Sequence, residues 1–158
     1  MTGAASRPRA LHVVVYGGLA AGLLDIVNAT VFWFLYNGAP PARILQAIAA
    51  GLLGKESFAG GAATAAIGLF LHFLIACGMA AVYWLACRRW PVLLRKPLAA
   101  GTIFGIGAYL AMTCVVVPLS RATPPPFILP WFIDSVLAHV ILVGLPFAFV
   151  ARWSANRR

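Results

Sequence analysis

The chain has only three acidic residues among its 158, and two of them, Asp25 and Asp134, lie inside long apolar segments. A charged side chain at bilayer depth is costly, so such a residue usually faces the interior of a helix bundle and marks a functional site. Asp25 is the sharper candidate because it is near the middle of its segment, whereas Asp134 is nearer an end. The third acid, Glu56, follows Lys55 directly, and we expect these two side chains to be solvated at a surface.

Two histidines and a tyrosine lie in the other apolar segments at a similar depth. Asp25, His72, Tyr109 and His139 each lie about ten residues from the same membrane boundary, which places them in a slab of about 5–6 Å at the rise of an α-helix. Because an isolated polar group in hydrocarbon is costly, we expect these side chains to meet in one layer. Neighbouring polar residues lie about one turn further out. The predicted layer comprises Asp25, Asn28, His72, Tyr109, Asp134, Ser135 and His139.

Three functions fit such a layer. A carboxylate beside an imidazole can relay a proton or hold an ion or a small polar solute, and this is the function we favour. Alternatively, the layer only fixes helix register, as in a structural or helper subunit that acts by protein contact. A third hypothesis is a haem or metal site with His72 and His139 as facing ligands. The chain has no HExxH, GxSxG or glycine-rich phosphate loop. We therefore lean towards a protein that is not an enzyme, and we expect no cofactor, although both points stay open.

The composition indicates which elements position these residues. Hydrophobic residues make up 63% of the chain and charged residues 9%, and the mean hydropathy is +0.94. A soluble domain carries about a quarter charged residues, so much of this apolar surface must lie in lipid. Spanning the bilayer takes about 20 mostly apolar residues in a helix. We therefore predict a single all-α membrane domain over 1–158, a four-helix bundle with spans at 11–36, 62–87, 98–118 and 130–151.

The basic residues predict how this bundle is oriented. Nine of the twelve precede the first span, follow the fourth, or lie between the second and third; the other three are Arg43, Lys55 and Arg121. Lysine and arginine are enriched on the cytoplasmic side, so we expect both termini there, in a multi-pass protein of the bacterial inner membrane. The net charge of +9 is divided among short clusters between apolar runs, so the expected partner is the lipid bilayer and not a nucleic acid.

A patterned connection follows the first span. Ile44, Ile48 and Leu52 repeat every four residues, while Arg43 and Gln46 are expected to face water. This pattern predicts a short amphipathic helix at about 41–53, lying on the outer surface or dipping into the membrane.

Small and weakly polar residues complete the pattern. Gly18 and Gly22, and likewise Gly101 and Gly105, form GxxxG pairs, which let helix backbones approach closely in lipid. They indicate a compact bundle and are compatible with a homodimer or a membrane-protein partner. The cysteines are odd in number and lack CxxC spacing, so we expect them to behave as buried small hydrophobic residues. They are Cys77, Cys87 and Cys114.

Several blocks of the sequence together carry a resemblance. They are GGLAAGLLDI at 17–26, RILQ at 43–46, GLLG at 51–54 and GLFLHF at 68–73. With these blocks the chain resembles a family of small, uncharacterised bacterial four-helix inner-membrane proteins, over most of its length. The resemblance implies an inner-membrane location and adds no activity, cofactor or substrate. The blocks include Asp25 and His72, which the depth argument also selects.

Overall fold

The computed structural model describes residues 7–124 and 126–157, and this part of the chain is helical with short connections and no strand. In chain order the helices are α1 (His12–Asn37), α2 (Pro41–Leu53), α3 (Gly61–Arg89), α4 (Val92–Arg95), α5 (Pro97–Leu119) and α6 (Leu129–Asn156), with a 3-10 segment at Gly54–Ala59. Four of them, α1, α3, α5 and α6, are long and apolar enough to cross a membrane. This confirms the predicted all-α fold with four spans. The orientation of the termini and the single-domain organisation stay predictions.

Proline and glycine mark several helix boundaries. Pro41 and Pro97 occupy the first positions of α2 and α5, where the missing N–H leaves no bond unmade and the fixed φ suits a helix. At the other end of α1, Gly38 has φ of 74° and its N–H donates to the carbonyl of Phe34. A residue with a side chain adopts this left-handed conformation at a cost, so glycine ends the helix here.

Two π-helical turns each precede a proline. In α5 the turn covers Met112–Val116 before Pro118, and in α6 it covers His139–Gly144 before Pro146. Proline has no N–H and its ring clashes with the carbonyl four residues earlier, so a locally wider helix accommodates the ring without breaking the span. His139 therefore lies at the start of a widened turn and not in a regular α-helix.

The four spans are antiparallel, and α1 and α6 occupy the centre. Helix α3 packs on α1, and α5 packs on α6, more than α3 and α5 pack on each other. At the end of the bundle where α1 begins and α6 ends (the terminal end), the rings of Tyr83, Phe104 and Phe147 join α3, α5 and α6. At the opposite end (the loop end), Trp33 of α1 meets Trp131 of α6 with ring centroids 5.1 Å apart.

The GxxxG glycines lie in helix contacts within the chain. A Cβ on Gly18 would be 2.8 Å from the Cα of Cys77 on α3, and a Cβ on Gly105 would be 2.6 Å from the Cα of Val140 on α6. Gly144 completes the second crossing, since a Cβ there would overlap the carbonyl oxygen of Gly101. These faces are occupied inside the bundle. The homodimer stays a prediction, and it must use another surface.

Helix α2 lies against α3 through its small residues. A Cβ on Gly68 would overlap the carbonyl oxygen of Leu45, so the two backbones approach closely at this point. Gln46 was expected to face water, and that prediction is wrong: its side chain is buried, and the amide Nε2 donates to the carbonyl of Gly61 at 3.0 Å. The physical reason is that α2 turns its small residues toward α3, and Gln46 lies on that same face beside Ala49.

The cysteines follow the prediction only in part. Cys87 is buried in the terminal-end core, Cys77 is half-buried against Gly18, and both are free thiols. Cys114 is exposed on the outside of the bundle, so the prediction that it is buried is wrong. A thiol behaves as a small apolar group, and the outer surface of a spanning helix faces lipid, so hydropathy alone does not separate a core position from a lipid-facing one.

Candidate functional site

Asp25 lies on the inward face of α1. Ala21 and Gly22, one turn earlier on this face, are buried, while Leu24 and Val27 on other faces are exposed. The Asp25 side chain is half-buried. It makes no hydrogen bond or ion pair with any residue in the described part of the chain. It is therefore an inward-facing carboxyl without a polar protein partner.

His72 bonds to α1 one turn from Asp25. Its Nε2 lies 2.8 Å from the carbonyl oxygen of Gly22, which can only accept, so Nε2 carries the hydrogen. Gly68 and Ala76, four residues to either side, are buried, so His72 is on the inward face of α3. The other ring nitrogen, Nδ1, has no hydrogen-bond partner among the described residues.

Asn28 and Asp134 join the two central helices. The Nδ2 of Asn28 donates to Oδ2 of Asp134 at 2.9 Å. Asn28 is one turn from Asp25 along α1, on the side toward the loop end. This bond gives the Asp134 carboxylate a hydrogen-bond donor inside an apolar bundle. The bond also fixes the register of α1 against α6.

His139 and Tyr109 join α6 to α5. Their rings are 5.6 Å apart and nearly perpendicular, at 79°. The Nδ1 of His139 donates to the carbonyl of Ser135, one turn earlier on α6, at 2.8 Å, and Ser135 itself is buried. Tyr109 also packs edge-on against Phe132. The His139 ring is thus oriented by its own helix and by one neighbour.

The predicted residues bond or pack in pairs or to backbone carbonyls, and Asp25 takes part in none of these contacts. No hydrogen bond or ion pair within the described ranges joins Asp25 to His72, Tyr109 or His139. His72 bonds to a backbone carbonyl of α1, whereas Tyr109 and His139 contact each other between α5 and α6, so these side chains have partners other than Asp25. That the seven residues act as one functional site stays a prediction.

The described residues do not form a cluster of metal ligands. Nowhere in the described segments do three or more His, Cys, Asp or Glu gather closely enough to hold one. His72 and His139 each donate one ring N–H to a backbone carbonyl, which is how metal-ligating histidines are often oriented, and the other nitrogen is left over. The contacts of the two rings lie on different helix pairs, however, so no observation brings them together as facing ligands.

Two surface clefts lie away from these residues. One, of about 200 Å³, is an apolar groove between α1, α2 and α3, lined by Ile26, Val27, Thr30, Val31, Pro41, Leu45 and Leu69. The other, of about 140 Å³, lies at the loop end, against α2 and the 3-10 segment. Neither cleft is lined by any residue of the predicted layer.

A polar cluster at the terminal end was not predicted from the sequence. The Nδ1 of His12 and the Oγ of Ser154 are 3.0 Å apart, and the same Oγ accepts from the backbone N–H of Arg9 at 2.9 Å. The His12 ring lies 5.1 Å from the ring of Trp153. A histidine at the first turn of an apolar run was the available signal, but its partner is 142 positions away in sequence. The cluster fastens the start of α1 to the end of α6.

Comparison of the chain with models of protein families, with curated proteins and with solved structures gives no match. What is established is the class: a multi-pass membrane protein, on the grounds of four apolar helices of spanning length. The resemblance to small bacterial four-helix proteins stays a prediction.

Proposed function

We propose that this membrane protein handles a proton, an ion or a small polar solute at Asp25, inside its four-helix bundle. The observation that supports this is a carboxyl on the inward face of α1 with no hydrogen bond or ion pair in the described chain. An intramembrane carboxyl that served only to hold helices together would be bonded to a neighbouring helix, as Asp134 is to Asn28. Asp25 is instead free to bind, and an unsatisfied polar group in hydrocarbon gains most from a ligand.

The surrounding residues have complementary roles in this proposal. His72 of α3 is fixed by its bond to the carbonyl of Gly22, which is one turn before Asp25 on α1. Its second ring nitrogen accepts or returns a proton near Asp25. Asn28 and Asp134 hold α1 and α6 in register, and the His139–Tyr109 contact does the same for α6 and α5. In this proposal Asp25 and His72 exchange the proton, and the other polar residues hold the helices in place.

We place the protein in the bacterial inner membrane with both termini cytoplasmic. The nine basic residues at the terminal end against three at the loop end support this orientation. Helix α2 then lies at the outer surface as an amphipathic element, with Arg43 exposed to water and the small residues toward α3.

Flux measurements on purified protein in liposomes test the proposal. Vesicles carry a pH-sensitive dye for protons, and separate vesicles carry indicators for sodium or potassium, under an imposed membrane potential. The wild type is expected to conduct one of these species above empty vesicles, and Asp25→Asn, which keeps the shape and removes the titratable group, is expected to abolish that flux. Glu56→Gln is the matched control, because Glu56 is exposed outside the spans. A wild type equal to empty vesicles excludes the handling of protons, sodium and potassium, and an Asp25→Asn variant equal to a conducting wild type contradicts the role of Asp25.

The second candidate is a structural or helper subunit that acts by contact with a membrane partner. Its supporting observation is that Asn28–Asp134 and His72–Gly22 each join two spans and are satisfied within the bundle. Complementation separates the two functions. The double variant Asp25→Asn, His72→Gln is expressed in cells that lack the gene. If it restores wild-type behaviour fully, a contact role is supported and the handling of a solute is contradicted.

A further inference from the structure

A lysine lines one cleft at the loop end of the bundle, and two arginines contact residues that line or adjoin it. The cleft has a volume of about 140 Å³ and lies between α2, the 3-10 segment and the connection from α5 to α6. We name it the loop-end cleft; its lining residues are Ala47, Ala50, Lys55, Phe58, Ala122 and Thr123.

Two arginines flank the cleft. The backbone N–H of Arg121 donates to the carbonyl of Gly51 at 2.9 Å, and its side chain lies over Gly54, where a Cβ would be 3.8 Å from Nε. The guanidinium of Arg43 lies 4.2 Å from the ring centre of Phe58, which lines the cleft. Lys55 itself lines the cleft, and each arginine contacts a residue that lines or adjoins it.

These cations lack negative partners. Arg43, Lys55 and Arg121 are exposed, and none of them forms an ion pair with any residue that the structure describes, although Glu56 is adjacent to Lys55 in sequence. Like charges near one another repel, and an anion placed between them removes that repulsion. The hydroxyl of Thr123 adds a donor at the rim.

From this arrangement of unpaired cations we propose that the loop-end cleft binds a phosphate group, carried either by an anionic phospholipid or by a soluble phosphate ester. Arginine matches phosphate oxygens with paired N–H donors, and lysine adds a point charge. The cleft is at one end of the spanning helices, the level at which lipid phosphates lie. This site is separate from Asp25 and does not depend on the role proposed for that residue.

Native mass spectrometry of the purified protein measures the proposed binding. The lipid probes are phosphatidylglycerol and phosphatidylcholine, and the soluble probes are glycerol 1-phosphate and inorganic phosphate. Arg121→Gln and Lys55→Gln remove single charges, and Arg121→Gln keeps the backbone bond to Gly51. The matched controls are Arg95→Gln and Lys96→Gln, exposed cations at the terminal end.

The wild type is expected to retain phosphatidylglycerol in preference to phosphatidylcholine, and each cleft variant to lose about fivefold in affinity, the usual effect of one cation near an anionic surface. If glycerol 1-phosphate or inorganic phosphate displaces phosphatidylglycerol, or binds when phosphatidylglycerol does not, the phosphate group belongs to a soluble ligand. If phosphatidylglycerol binds and neither soluble probe displaces it, the phosphate group belongs to a lipid. If one of these variants fails to fold, Arg43→Gln replaces it, because this substitution removes only a charge and the contact with the ring of Phe58. The same loss of affinity for the phosphate probe is expected. Equal losses in the terminal-end controls, or unchanged binding of every phosphate probe in the cleft variants, overturn the proposal.

Discussion

Replacing Gly105 by alanine tests how closely α5 and α6 approach beside the His139–Tyr109 contact. A Cβ on Gly105 would be 2.5 Å from the carbonyl oxygen of His139 and 2.6 Å from the Cα of Val140, and both of these neighbours are backbone atoms. Backbone atoms cannot rotate away as a flexible side chain can. The new methyl group therefore has to push the two helices apart.

The size of the effect follows from these distances. Carbon atoms pack best at about 3.5–4.0 Å, so α5 and α6 must separate by about 1 Å. Overpacking of this kind costs about 1–3 kcal/mol, and we expect a loss of about 2 kcal/mol in the free energy of unfolding. Alanine favours helix over glycine by about 1 kcal/mol, and this gain is smaller in a membrane, where the span stays helical when the bundle comes apart.

Gly107 provides the matched control, because it is two residues further along α5 and a Cβ added there would meet no atom of another helix within 4 Å. Unfolding of Gly105→Ala, Gly107→Ala and the wild type is followed in mixed micelles by denaturant titration. Gly107→Ala is expected to stay within about 0.5 kcal/mol of the wild type, as surface substitutions do. If Gly105→Ala is as stable as Gly107→Ala, the close crossing of α5 and α6 is wrong.

Two further substitutions test individual hydrogen bonds. Asn28→Ala is expected to lower the free energy of unfolding, and a double-mutant cycle with Asp134→Asn should give a coupling of about 0.6 kcal/mol, typical of bonds between membrane helices; a coupling of zero contradicts the pair. Gln46→Ala removes the bond to Gly61, worth about 1 kcal/mol, so amide exchange in α2 should accelerate about fivefold relative to α6, and unchanged exchange argues against that bond.

Features that depend on local composition could be predicted from the sequence. The four spans follow from runs of apolar residues long enough to cross a bilayer, which is a property of each segment by itself. Trp33 and Trp131, which meet at the loop end, also lie near the ends of their helices, where indoles are common because the ring is apolar and its N–H needs a partner.

Features that depend on helix rotation were harder to predict. In α2 the repeat of Ile44, Ile48 and Leu52 suggested that Gln46 faces water, but the buried residues are Gln46, Ala49 and Ala50. Isoleucine and leucine are already well solvated by lipid, whereas small residues allow the close approach that stabilises helix pairs there. Hydrophobicity alone therefore does not identify the face of α2 that packs on α3.

The polar contacts could be predicted from the sequence only in part. The depth count used for Asp25 and His139 also places Asn28 and Asp134 within about 5 Å of one level, so the pair could have been anticipated. What the count cannot give is the rotation of each helix, and so it could not assign His72 to the carbonyl of Gly22.

The central claim is that Asp25 faces the interior of the bundle and that a proton, an ion or a small polar solute reaches it there. It is tested most directly by cysteine accessibility, in a background where Cys77, Cys87 and Cys114 are replaced by alanine. Asp25→Cys is compared with Leu24→Cys, its neighbour on an exposed, lipid-facing side of α1. A small, charged, water-soluble thiol reagent should modify position 25 at least about tenfold faster than position 24, because a lipid-facing thiol stays protonated and out of reach of the reagent. Equal, slow modification at both positions contradicts the account.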